Sequence, residues 1–99
     1  MKKIVLVCAG GLSTSLLVNK MREAANADGY KCDIAAYPVS DVVAVSDGAD
    51  VVLLGPQIRH KLDEARKLCK CPVDTIDVKY YGSMDGKAVL GVARKLMGD

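Results

Sequence analysis

The chain reads as an α/β protein: one four-stranded parallel sheet in the order 2-1-3-4, flanked by helices. Three observations lead there. Apolar runs alternate along the chain with segments of helical period, giving βαβαβαβα and right-handed crossovers. Two of the runs, Ile4-Val5-Leu6-Val7 and Val51-Val52-Leu53-Leu54, are unbroken, as strands covered on both faces require, whereas the other two carry Asp33, Asp74 and Thr75. Unbroken strands at the centre and polar ones at the edges give 2-1-3-4, and that order has its topological switch beside the end of strand one. A short glycine-bearing loop starts there, with Cys8 as its first residue.

Strand one spans Lys3 to Cys8. Helix one runs from about Ser13 to Ala27, with Ser13 or Thr14 as cap and Asp28-Gly29 as stop. Leu17, Met21, Ala24 and Ala25 share one face of it, and Lys20, Arg22, Glu23 and Asn26 the other. Strand two is Lys31 to Ala36, closed by Tyr37-Pro38; a short helix over Val39 to Ser46 ends at Asp47-Gly48. After strand three, Val51 to Leu54, the turn Gly55-Pro56-Gln57 leads into a helix over Ile58 to Leu68, with Ile58, Leu62, Ala65 and Cys69 on one stripe. Strand four is Pro72 to Ile76. A loop over Asp77 to Gly82 precedes a last helix, Met84 to Met97, whose buried face is Val89, Leu90, Ala93, Leu96 and Met97. No internal repeat or linker interrupts the 99 residues, which make a single domain large enough to bury its own core.

Composition excludes several classes. The formal net charge is only +2, no basic run occurs, Trp and Phe are absent, and the four tyrosines are not interleaved with Lys or Arg, so no nucleic-acid platform is expected. The apolar runs are too short to span a bilayer. Met1-Lys2-Lys3-Ile4 could open a signal peptide, but its apolar run is about five residues long and no cleavage site follows. The expectation is a cytoplasmic protein. Cys8, Cys32, Cys69 and Cys71 have neither a C-x-x-C nor a framework spacing. Cys69-Lys70-Cys71 with the single histidine, His60, makes a poor zinc site, so no metal and no cofactor are expected, with Cys69 ending a helix and Cys71 opening a strand as reduced thiols.

The chemistry points to the stretch Cys8-Ala9-Gly10-Gly11-Leu12-Ser13-Thr14-Ser15. Orphan backbone N–H groups at a helix start bind anions, and glycines let the backbone curl around a phosphate. The same field favours thiolate over thiol. A cysteine at the mouth of such a cradle is placed to hold a phosphoryl group; the bland alternative is a small hydrophobe at a strand end. Two glycines and three consecutive hydroxyl residues exceed what packing needs.

Three uses of that cradle compete. Low-molecular-weight tyrosine phosphatases carry C-x5-R-[S/T], in which the arginine forks onto the phosphoryl oxygens. Here Ser15 fills the last position, but the arginine position holds Thr14, and Asp77-Val78-Lys79-Tyr80-Tyr81-Gly82 resembles that family's D-P-Y-Y-G loop with one extra residue. Without the arginine a cysteinyl phosphate hydrolyses slowly, which disables a phosphatase and suits a carrier; an arginine restored at position 14 is expected to speed hydrolysis. A non-catalytic flavodoxin-like nucleotide or flavin binder is the third possibility, with only Tyr37, Tyr80 and Tyr81 to flank a ring.

The carrier reading meets a known family. Cys8-Ala9-Gly10-Gly11-Leu12-Ser13-Thr14-Ser15-Leu16-Leu17 resembles the C-x-x-G-[ML]-S-T-S-L-L loop of sugar phosphotransferase IIB subunits of the lactose/cellobiose/chitobiose family. Leu54-Gly55-Pro56-Gln57-Ile58 and Tyr80-Tyr81-Gly82-Ser83-Met84-Asp85-Gly86 match as well, and the resemblance spans essentially the whole chain. Ala9-Gly10 stands where the family often has Ser-Ala. The resemblance implies a flavodoxin-like frame shared with the small tyrosine phosphatases. It also implies a phosphotransferase that takes a phosphoryl group from a phosphohistidine of a IIA protein onto Cys8. From there the group passes to a sugar, expected to be a β-disaccharide, held by the membrane IIC permease. Residues 9–15 would cradle the phosphoryl group. Gln57 contacts that group or the partner, or belongs only to a strand-to-helix turn; Tyr81 and Asp85 frame the rim, or Asp85 simply starts a helix. His60, between Arg59 and Lys61, reads as a solvated surface residue, and Leu12 as a candidate apolar contact for a transient partner.

Overall fold

A computed structural model describes residues 1–9 and 12–99, the side chains at 12 and 13 excepted. The strands are β1 (Lys2–Cys8), β2 (Cys32–Pro38), β3 (Val51–Leu54) and β4 (Val73–Thr75). They pair in parallel in the order β2-β1-β3-β4, the order the apolar patterning predicts. The helices are α1 (Leu12–Ala27), α2 (Val42–Ser46), α3 (Leu62–Leu68), α4 (Val78–Gly82) and α5 (Gly86–Met97).

Period-two alternation divides the central strands between two cores. Ile4 and Leu6 of β1, with Val51 and Leu53 of β3, face α1 and α5 and pack on Leu17, Met21, Val89, Leu90 and Ala93. Val5, Val7, Val52 and Leu54 face the other way, onto Val42, Ile58, Ala65, Cys69 and Val73. Every residue of Ile4–Val7 and Val51–Leu54 is therefore fully buried, which is why neither run tolerates a polar residue. The alternation also puts Cys8, two residues beyond Leu6, on the α1 side of the sheet.

Local structure departs from expectation at the ends of elements. α1 begins at Leu12, which moves Ser13 and Thr14 from the cap into the first turn; the position before it, Gly11, lies outside the described residues. Its far end follows the sequence: Gly29 takes φ +65, and Tyr30 N–H donates to the Ala25 carbonyl at 2.9 Å, closing the helix. β2 continues to Pro38, which an edge strand permits because its outer N–H positions need no partner. The second helix opens as a 3-10 turn, Val39–Asp41, and the third as a longer one, Pro56–Lys61, broken at Ile58 (φ −120, ψ 23).

The stretch Asp77 to Gly82, expected as a loop, is largely α4. The last helix starts at Gly86 rather than Met84, because Met84 takes φ 53 and cannot continue from α4 into α5. Gly86 sits against the α1 backbone: a Cβ there would lie 2.4 Å from the Lys20 carbonyl carbon. No helix among the described residues is long and apolar enough to cross a membrane.

Candidate functional site

Cys8 ends β1 at the carboxyl edge of the sheet, in register with Pro38 of β2 and 6% exposed. Its neighbour in space is the turn after β3, because Gly55 N–H donates to the Val7 carbonyl at 2.8 Å. Four residues on, the sixteen-residue helix α1 begins, and the start of a helix carries a positive dipole end and N–H groups without intrahelical partners. Within the predicted cradle, Ala9 and Ser15 are exposed and Thr14 is buried. Gly10 and Gly11 lie outside the described residues, as do the side chains of Leu12 and Ser13.

Thr14 is 2% exposed and its Oγ1 lies 3.1 Å from the Tyr81 hydroxyl, either atom being able to donate. The hydroxyl expected to face a phosphoryl group is thus tied to α4, joining the first turn of α1 to the rim after β4. An arginine at position 14 would have to displace this contact before it reached any anion.

The structure brings Tyr81 to the cradle through Thr14. Asp85 takes another part: its carboxylate accepts from Ala88 N–H at 3.1 Å and caps α5. The neighbouring Gly86 packs on α1 at Lys20 and Met21, about two turns along from the helix start. Asp77, which opens the stretch that resembles the phosphatase loop, likewise caps α4, accepting from Lys79 N–H at 2.8 Å.

Gln57 is exposed, and its amide oxygen lies over Gly55 beside Cys8. Sequence reasoning saw Gly55 only as part of a turn. Its role as a space beside the thiol was legible at most as a glycine directly after a buried strand. His60 is exposed, as expected, one 3-10 turn further on. Two apolar residues near this edge are also exposed, Leu16 of α1 at 49% and Val78 of α4 at 66%.

The other thiols are free and differently placed. Cys69 is buried at the end of α3, and Cys71 lies in the turn before β4. Burial pushes the Cys71 thiol up, helped by Cys69, and pushes the Cys32 thiol up, helped by Asp33. A 400 Å³ cavity bounded by Met1, Arg22, Tyr30, Cys32 and Ile34 lies at the amino edge of the sheet, the end away from Cys8.

The family model of the phosphotransferase system lactose/cellobiose-specific IIB subunit matches residues 3–91. The chain belongs to that family. It is 40% identical to the galactose-specific EIIB component of Lactococcus lactis subsp. cremoris (strain MG1363), over 97% of this chain and 96% of the relative. The cellobiose-specific EIIB component of Lactococcus lactis subsp. lactis (strain IL1403) gives the same identity and coverage. So nearly does the oligo-beta-mannoside-specific EIIB component of Bacillus subtilis (strain 168), 40% identical over 98% and 97%.

Among solved structures, the cellobiose-specific phosphotransferase IIB component of Borrelia burgdorferi is 33% identical, with TM-score 0.82 over 98% of this chain and 92% of that one. The lactose-specific IIB domain of Streptococcus pneumoniae, 17% identical, has TM-score 0.82 over 95% of each and bears on the fold alone.

Proposed function

We propose that this IIB chain is a cytoplasmic phosphoryl carrier with Cys8 as its covalent site. The observation that carries the reading is the position of Cys8 in a IIB-family chain: a cysteine at the carboxyl end of a central strand, directly ahead of the start of α1. In the loading step the Cys8 thiolate attacks the phosphorus of a phosphohistidine on a IIA protein. An S–P bond forms, the N–P bond breaks, and its electron pair returns to the imidazole. In the discharge step a hydroxyl of a sugar held by IIC attacks the same phosphorus. An O–P bond forms, the S–P bond breaks, the thiolate leaves with the electron pair, and the hydroxyl proton passes to a base on the acceptor side.

The phosphoryl group brings about −1.5 to −2 charges. The start of α1 supplies N–H donors and dipole field to hold it, each such interaction contributing about 0.3–2 kcal/mol, and residues 9–15 are the proposed cradle. Thr14 stands at the place of the phosphatase arginine and is bonded to Tyr81, so no guanidinium enters from that position to assist water. A β-disaccharide is the acceptor class that the family suggests.

The test supplies phosphoenolpyruvate, the general phosphotransferase proteins and a cognate IIA, and follows the intact mass of wild type and Cys8→Ser. One phosphoryl group on wild type, none on the variant, and its loss when sugar and IIC membranes are added is the expected result. No added mass, together with steady turnover of an aryl phosphate, contradicts it and favours a phosphatase.

A further inference from the structure

Gly55 adopts φ −60 and ψ 151, a conformation open to any residue, so the backbone does not require glycine there. Space does. A Cβ at position 55 would lie 3.0 Å from Gln57 Oε1, 3.5 Å from the Cys8 Cβ and 3.7 Å from the Val7 carbonyl oxygen. The gap left by the missing side chain is therefore bounded by the Gln57 amide on one side and Cys8 on another, both within 3.5 Å of one point.

Several cations are committed elsewhere. Arg22 donates to the Ile34 carbonyl at 2.6 Å, Arg66 to the Val73 carbonyl at 3.1 Å, and Arg94 lies over the Tyr30 ring at 4.2 Å and faces Asp28 at 3.8 Å. The Gln57 amide that bounds the gap beside Cys8 is neutral.

We propose that Gln57 is a ligand of the phosphoryl group on Cys8, and that position 55 is glycine to admit it. The proposal rests on the carrier reading of Cys8. A primary amide has a carbonyl acceptor and two N–H donors, and a half-turn of its terminal group exchanges them in place. Once Cys8 is loaded, Nε2–H can turn to donate to a phosphoryl oxygen. Unlike a guanidinium, the amide adds no positive charge to stabilise further negative charge as water attacks. It thus favours the loaded state while leaving hydrolysis slow.

The experiment loads wild type, Gln57→Ala, Gln57→Glu and Gly55→Ala through phosphorylated IIA, after circular dichroism has checked that each is folded. It reads the equilibrium distribution of phosphoryl groups between IIA and IIB and the ³¹P resonance of loaded IIB. Losing one hydrogen bond to a charged group shifts that equilibrium toward IIA by about tenfold in Gln57→Ala. Gln57→Glu, with a like charge facing the dianion, shifts it further. Gly55→Ala shifts it in the same direction by pressing the amide away, and all three move the resonance. An unchanged equilibrium and resonance in Gln57→Ala overturns the proposal. So does slower transfer with both unchanged, which would assign Gln57 to partner contact. A wild type that takes no phosphoryl group on Cys8 removes the carrier reading itself, and this proposal with it.

Discussion

Thr14 shows how a residue can be placed by sequence and still be misjudged in its contacts. Its position in the motif is read by counting from Cys8, but its hydrogen-bond partner is Tyr81, which arrives 67 residues later. Replacing Tyr81 by Phe leaves the buried Thr14 hydroxyl without its partner and is expected to cost about 1–3 kcal/mol in urea denaturation. Adding Thr14→Val removes the orphaned group, so the double variant should lose less than the two single losses combined. Strict additivity would mean that the two hydroxyls do not interact.

Tyr30 carries a second residue-scale effect. Burial, together with the hydrogen bond it donates to Asp99 at 2.6 Å, raises its pKa from 10.0 to about 12. The unfolded chain then releases its proton first as pH rises. The stability from this group is complete below pH 10 and lost between pH 10 and about 12. Cys32 and Cys71, both raised above 9.0, begin the same decline earlier. Tyr30→Phe should flatten the upper part of the decline in stability measured against pH. Parallel curves for wild type and variant would remove Tyr30 as its source.

Among the elements, those with strong apolar patterning were legible whatever their length, the four-residue β3 included, and α4 was not. α1 and the two central strands match their apolar stripes closely. α4 was not foreseen because five residues cannot nucleate a helix by propensity; Asp77 capping and the Tyr81–Thr14 contact hold it. Asp85 was legible as the start of a helix, but not Asp77 as another cap ahead of it, the two separated by the left-handed Met84.

Two glycines of α5 give opposite predictions. Gly86→Ala would put a Cβ against the α1 backbone, forcing the helices apart and destabilising the protein by about 1–3 kcal/mol. Gly91 is exposed with nothing within 4 Å of its Cβ position, so Gly91→Ala should stabilise by about 0.5–1 kcal/mol. Thermal unfolding of the pair checks both; a neutral Gly86→Ala would mean that α1 and α5 can separate freely.

For the whole molecule, the sheet order could be read because burial on both faces leaves a signature that burial on one face does not. The order then places the ends of β1, β3 and β4 on one edge. Cys8, the Gly55–Gln57 turn and α4 with Tyr81 meet there, although they are dispersed over most of the chain. Relatives named for three sugars share the same 40% identity with this chain. A carrier that relays between two partners needs a reactive edge more than a sugar pocket, and the 400 Å³ cavity at the far edge is not placed to serve Cys8.

The central claim is that Cys8 bears the phosphoryl group, and peptide mapping by tandem mass spectrometry of the protein loaded through phosphorylated IIA tests it most directly. The account predicts phosphate on the peptide containing Cys8 alone. Phosphate on His60, the chain's single histidine, with the Cys8 peptide unmodified, would contradict it.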